Sequence, residues 1–383
     1  MSVTAAKGFT ASGIAAGIKE NGNPDLALVV NNGPKLAAAG VFTSNRVKAA
    51  PVLWSEQVLK GGLVSAVVLN SGGANACTGP KGFQDTHATA EKVAEVLGQN
   101  AGEVAVASTG LIGLLLPMDK LLPGVEQAAA QLSEHGGEKA AIAIKTTDSV
   151  HKTSVVTGDG WTVGGMAKGA GMLAPGLATM LVVLTTDADV ESGVLDRALR
   201  AATRTTFDRV DSDGCMSTND TVLLLASGAS QVTPDEAEFA EAVRKVCDDL
   251  GQQLIRDAEG ASKDIKVEVV NAASEDDAVE VGRSIARNNL LKCAIHGEDP
   301  NWGRVLSAIG TTRAAFEPDQ LNVAINGVWV CKNGGVGEDR DKVDMRYREV
   351  HIVADLAAGA ETATIWTNDL TADYVHENSA YSS

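Results

Sequence analysis

A chain of 383 residues with 44% apolar and 21% charged side chains has the balance of a folded globular protein, which excludes both a disordered segment and a peptide-sized scaffold. Its 32 Lys and Arg against 49 Asp and Glu leave a formal charge of −17, which repels phosphate backbones and anionic membranes and argues against nucleic acid or membrane as a partner. Forty glycines, against roughly 27 at an average usage of about 7%, imply many tight turns and close backbone approaches.

In chain order, short apolar runs predict strands over 26–30 and 66–69, followed by a helix over 85–97 with apolar residues at helical spacing. A strand over 104–107 and a helix over 119–132 come next. A strand over 180–184 leads to a helix over 192–205 with Ser192 as its N-cap. Beyond it the pattern predicts a strand over 222–225, a helix over 234–258, a strand over 265–270, a helix over 276–291, and strands over 323–325 and 351–354. Strands and helices alternate without an internal repeat, so the class is α/β or α+β. Most of the strands are short and uncharged, hence buried. Loops over 70–82, 108–113, 164–176, 211–221 and 297–304 are denser in Gly and small polar residues than turns require, and chemistry belongs there.

Several chemistries lose support. There is no GxxxxGK[ST] phosphate loop, no HExxH, no GxSxG elbow and no GxGxxG after a strand. Cys77, Cys215, Cys247, Cys293 and Cys331 form no CxxC pair and read as reduced thiols, with no metal site expected. His87, His135, His151, His296, His351 and His376 are scattered, so no Ser-His-Asp triad can be assembled. No secretory signal opens the chain, and the apolar run 180–184 is far shorter than the ~20 residues that cross a bilayer, so a cytoplasmic location is expected.

A chain rich in Thr but poor in His raises the option of a threonine whose own α-amine is the base, because that amine has a reference pKa near 8. Such a Thr must begin a chain. Ala174-Pro175-Gly176-Leu177-Ala178-Thr179 offers a turn before Thr179, with Ala178 small enough to expose its carbonyl to the Thr hydroxyl. Taken alone, these residues favour the plainer reading that Thr179 begins a β-strand, as Thr often does.

Five segments in fixed order change the weighing: Ala107-Ser108-Thr109-Gly110-Leu111-Ile112-Gly113, Ala167-Lys168-Gly169-Ala170-Gly171-Met172, Ala178-Thr179-Met180-Leu181, Ser217-Thr218-Asn219-Asp220-Thr221 and Asp299-Pro300-Asn301-Trp302-Gly303-Arg304. With Asn70-Ser71-Gly72-Gly73-Ala74-Asn75-Ala76-Cys77-Thr78-Gly79, the chain over nearly its whole length resembles the ornithine acetyltransferases, also called glutamate N-acetyltransferases, of cyclic arginine biosynthesis. The resemblance implies an N-terminal-nucleophile-like αββα sandwich with a C-terminal lobe. It implies self-cleavage between Ala178 and Thr179, giving an α chain 1–178 and a β chain 179–383, assembled as paired αβ units (α2β2). It implies ping-pong transfer of acetyl from N2-acetylornithine to glutamate through acetyl-Thr179. No cofactor is implied, and acetyl-coenzyme A enters only as an optional co-substrate. Thr109 and Gly110 match the oxyanion donors, and Thr146, Lys168, Thr179, Glu259, Asn378 and Ser383 match the substrate contacts. Lys168 suits an α-carboxylate and Glu259 the ornithine ammonium, although both would read as solvated charges without the motif.

The 299–304 segment reads as structural, with Asp299 and Pro300 in a turn, Trp302 filling a core site and Arg304 paired with a carboxylate, while Asn219 and Asp220 read as turn caps. Gly73, Lys145, Pro175-Gly176-Leu177 and the terminal Ser383 depart from the family's usual Asn, Met, Pro-Asn-Met and Thr. A related-fold amidase or aminopeptidase, with water as acceptor, and a non-catalytic amino-acid-binding protein are the rival readings.

Overall fold

The computed structural model describes residues 2–174 and 180–380. These form two compact units, one from the spans Met1–Asp208 and Cys215–Asp257, the other from Arg209–Gly214 and Ala258–Tyr381.

The first unit contains β1 (Phe9–Ile14), β2 (Leu26–Asn31), β3 (Ala37–Phe42), α1 (Ala50–Val58), β4 (Ala66–Asn70), α2 (Gly79–Leu97), β5 (Val104–Ser108), α3 (Met118–Ala130), α4 (Gly137–Ala143), β6 (Lys152–Thr157), β7 (Thr162–Lys168), β8 (Leu181–Thr186), α5 (Ser192–Thr205), β9 (Thr221–Ala226) and α6 (Glu236–Arg256). One sheet runs β1-β2-β4-β5, the other β3-β9-β8-β7-β6. Strand alternation builds the layers, since successive side chains point to opposite faces. Ala27, Val29, Val67, Leu69, Ala105 and Ala107 of the first sheet share one core with Met166, Leu181, Val183, Leu223 and Leu225 of the second. The intervening Leu26, Leu28, Val30, Val68, Val104 and Val106 pack instead with Ala90 and Val93 of α2 and Leu121 and Val125 of α3. α5 and α6 cover the outer face of the second sheet. A Cβ on Gly165 of β7 would meet Leu250 and Val246 of α6 at 3.1 Å. The result is the αββα sandwich the resemblance implied.

The second unit holds β10 (Asp264–Ala272), α7 (Glu275–Ala286), α8 (Asn289–His296), α9 (Trp302–Ile309), β11 (Asn322–Ile325), β12 (Val328–Lys332), β13 (Gly335–Val336), β14 (Glu349–Asp355), β15 (Glu361–Asn368) and α10 (Ala372–Ala380). Its sheet runs β13-β12-β11-β14-β10-β15. Val267, Val269, Ile352 and Ile365 pack there with Val281 and Ile285 of α7. Among the described residues no helix is long and apolar enough to cross a membrane.

Several expectations need correction. The helix predicted over 85–97 begins at Gly79, with Pro80 in its first turn, a position where a missing N–H costs nothing. The single helix over 276–291 is two, because Asn288 leaves helical geometry and its side chain accepts from Leu291 N, capping α8. Ser192 is the first helical residue and not the cap; Glu191 holds that place without a side-chain bond, its carboxylate engaged by Lys35. Trp302 is half-buried against the core rather than filling it. Arg304 donates to the Leu290 carbonyl, while the ion pair in that segment joins Arg340 to Asp299.

Candidate functional site

In the first unit β4 and β5 are parallel, with Asn70 paired to Ser108, so their ends present two loops side by side. Thr109 N donates to Asn70 O and Gly73 N to Thr109 O, both at 3.0 Å. The Asn70 side chain donates to Gly73 O at 2.9 Å and accepts from Ser108 Oγ at 2.5 Å. Asn219, buried before β9, bridges the same loops by donating to Ala74 O at 2.6 Å and Ser108 O at 2.8 Å. Gly110 sits at φ 134°, and a Cβ there would lie 2.6 Å from Gly73 N, so only glycine fits. Among the described residues no acceptor meets the Gly110 N–H. A rigid turn thus offers a hydroxyl and a backbone donor together.

Lys168 closes β7 and is 2% exposed, a position that requires compensation. Its ammonium donates to Thr109 Oγ1 at 3.3 Å. Asp148 answers its charge from a turn that also holds Thr146: Oδ2 accepts from Thr146 N at 3.0 Å, and Oδ1 accepts from Gly169 N and Lys152 Nζ at 2.6 Å. Lys152 also pairs with Asp257 at 2.5 Å. Burial pushes the Asp148 carboxyl up, but Lys168, Lys152 and the Gly169 N–H outweigh it and hold the group well below the usual carboxylate range. Asp148 therefore carries its charge at neutral pH, and the Lys168 ammonium lies beside the Thr109 hydroxyl.

Because the folded Asp148 titrates lower than an unfolded Asp near 3.9, its stabilisation is present above that value and fades as pH falls below it. Asp148→Asn leaves two buried ammonium groups short of a counter-charge, so we expect a loss of about 3 to 5 kcal/mol in unfolding free energy at pH 7. That difference should shrink below pH 4, read by urea melts at both pH values; an equal difference at both would reject the electrostatic account.

Asp220, wholly buried, accepts from Met180 N at 3.1 Å, and Thr221 N donates to Met180 O at 3.1 Å. Burial raises its carboxyl well above the ordinary value. The residue that follows Thr179 is thereby fixed at both its N–H and its C=O. Thr179, Ala178 and Ser383 lie outside the described residues.

Of the other expected contacts, Thr109, Gly110, Thr146 and Lys168 belong to the cluster just described. Glu259 and Asn378 meet in the second unit, where Asn378 Nδ2 donates to Glu259 Oε2 at 2.9 Å. Gly260, at φ 61°, would place a Cβ 2.2 Å from Tyr374 N, so glycine lets the Glu259 turn lie against α10. Sequence reasoning missed Asp148 and Lys152 and set Asn219 and Asp220 aside as turn caps. The signal for the last two was their place in the 217–221 segment. Ser262, His296 and Asp369 do meet, but His296 Nδ1 faces both Ser262 Oγ and Asp369 Oδ2, and the Ser262 hydroxyl donates to Asp369 directly. The imidazole does not stand between acid and hydroxyl, so this is no triad.

A model of the ArgJ family matches residues 10–383. The arginine biosynthesis bifunctional protein ArgJ of Streptomyces avermitilis is 93% identical over 383 residues, covering 100% of both chains. The protein of the same description from Streptomyces coelicolor is 88% identical, again covering 100% of both. Among solved structures, ornithine acetyltransferase from Mycobacterium tuberculosis, complexed with ornithine, is 61% identical over 47% of this chain and 96% of its own, with a TM-score of 0.45.

Proposed function

The chain belongs to the ArgJ family, and from that premise we infer that it is an acyltransferase of arginine biosynthesis, moving acetyl from N2-acetylornithine to glutamate. The observation that carries this reading is the whole-length match, 93% identical over all 383 residues.

In this reading the Thr179 hydroxyl attacks the Ala178 carbonyl. The peptide C–N bond breaks as an ester forms, and water then releases the α chain 1–178 from the β chain 179–383. The freed α-amine takes the hydroxyl proton as Thr179 attacks the acetyl carbonyl of N2-acetylornithine. Ornithine leaves with its amine reprotonated, and the α-amine of glutamate attacks the acetyl ester to complete the transfer. Oxyanion stabilisation falls to the Thr109 hydroxyl and the Gly110 N–H, whose loop the Asn70 and Asn219 bonds pre-organise. Lys168 receives the α-carboxylate, with Thr146 beside it, and Glu259, Asn378 and Ser383 complete the substrate contacts. We propose no cofactor, a cytoplasmic location and an α2β2 assembly.

The test is initial-rate kinetics with N2-acetylornithine and glutamate varied together. Parallel double-reciprocal lines, with one N-acetylglutamate formed per ornithine released, are expected. Ornithine release that glutamate does not accelerate, with acetate as product, would make the protein an amidase. Binding without turnover would make it a binding protein. Replacing acetylornithine with acetyl-coenzyme A decides whether the thioester also serves as donor.

A further inference from the structure

The connection between β1 and β2, all within the first unit, reaches both halves of the cluster around Thr109 and Asp148. Asp25, wholly buried, grips this connection: its carboxylate accepts from Ala16 N at 2.7 Å and Lys19 N at 2.8 Å, and its carbonyl accepts from Ser71 N at 2.9 Å. Ile18 lies so close to the same loop that a Cβ on Gly72 would meet its Cγ2 at 2.2 Å. With its backbone held in this way, Lys19 sends a half-buried side chain to a third segment. Its ammonium donates to Lys145 O at 2.7 Å and to Pro24 O at 3.1 Å. Lysines usually stay in water or pair with a carboxylate, but both acceptors here are main-chain carbonyls, and among the described residues no carboxylate oxygen is bonded to this ammonium.

The Lys145 carbonyl and the Thr146 N–H belong to one planar peptide group. Lys19 holds the oxygen of that plane, and Asp148 Oδ2 holds its N–H at 3.0 Å. Both bonds involve an ionised partner, the stronger kind of hydrogen bond, so the plane is clamped on both edges. We infer that Lys19 is a positioning residue for the acyl transfer, clamping the Lys145–Thr146 peptide so that Thr146 is held where substrate meets it. The inference rests on the acyltransfer reading above and on Thr146 being a substrate contact. Electrostatics agrees with the placement. Burial pushes the Lys19 ammonium below the usual lysine range, and Lys168 adds to that push against the pull of Asp25 and Asp148, so Lys19 belongs to the same charged neighbourhood as the Lys168–Asp148 pair. A contact with the bound amino acid that is equal in the ground and transition states shows itself in KM and not in kcat.

Two readouts test the clamp, one kinetic and one independent of activity. Lys19→Met, which keeps the length of the side chain and removes both donated bonds, should raise KM for acetylornithine and for glutamate roughly tenfold while kcat stays within about twofold. Because KM does not depend on how much enzyme is active, a merely structural role would lower the melting temperature and the apparent kcat and leave KM alone. Lys19→Arg, which keeps the charge and several donors, should recover most of the KM. In the ligand-free protein, hydrogen exchange at the Thr146 amide should be roughly tenfold faster in Lys19→Met than in the wild type. Should Lys19→Met fail to fold, Lys19→Gln, a neutral side chain one atom shorter, is read in its place with the same expectations. An unchanged KM for both substrates, or a Thr146 amide as protected as in the wild type, overturns the inference. A wild type that transfers no acetyl would overturn the acyltransfer reading instead, and the exchange comparison would still decide whether Lys19 clamps the peptide.

Discussion

Thr179→Ala is expected to remain a single chain of 39.4 kDa under denaturing conditions and to lose acetyl transfer by roughly four orders of magnitude or more. The wild type should separate into 178 and 205 residues, since 383 − 178 = 205. In the proposed mechanism one hydroxyl performs two reactions, and alanine removes both at once. It cannot attack the Ala178 carbonyl, so the α-amine that would serve as base is never released. It also offers no oxygen to carry acetyl. Thr179→Ser, which keeps the oxygen, should restore cleavage and part of the activity. Intact mass of the denatured protein reads the first effect and ornithine release the second. A cut or active alanine variant would sink the mechanism.

The same experiment run under native conditions should show no separation of the fragments. β7 lies on one side of the cleavage point and β8 on the other, and they pair antiparallel from Lys168 with Leu181 to Val163 with Thr186. A cut between Ala178 and Thr179 would therefore fall between neighbouring strands of one sheet, with the hydrophobic core shared across it. The proposed covalent division at 178–179 and the division into compact units are different boundaries. A wild type that loses its α chain on native size exclusion would contradict this account of the sheet.

What the sequence disclosed follows from how locally each feature is encoded. β2, β4, β5, β8 and β9 are continuous apolar runs, and α5 repeats its apolar residues at helical spacing, so both kinds are legible in the linear order of residues. β3, with the sequence AAAGVF, and β7, with TVGGMAK, carry little β-propensity of their own; they are strands because the sheet beside them offers unpaired backbone. The site divides along the same line. Thr109, Gly110 and Lys168 stood in motifs, whereas the role of Asp148 depends on Lys152 and Lys168 reaching it from β6 and β7, an arrangement no linear spacing announces. Asn219 looked like a turn cap because such residues usually bond their own backbone. Its amide instead spans to Ala74 and Ser108, more than a hundred residues away in sequence.

That bracing makes Thr109 the most discriminating position to alter. Thr109→Val keeps the β-branched shape, and the strand-end bonds from Thr109 N to Asn70 O and from Gly73 N to Thr109 O involve only backbone, so the turn survives. Only the hydroxyl is lost, along with the acceptor it gives Lys168. If that hydroxyl faces the developing oxyanion, kcat for the purified two-chain form should fall by about 10² to 10³, or roughly 2.7 to 4 kcal/mol, and kcat/KM should fall by the same factor. The stability cost should be far smaller, about 1 kcal/mol for a single hydrogen bond. Thr109→Ser, with the oxygen retained, should recover most of the rate. A rise in KM with kcat intact would instead mean that the hydroxyl holds the ground-state substrate. Oxyanion stabilisation would then rest on the Gly110 N–H alone, whose direction the glycine-only turn at φ 134° already fixes.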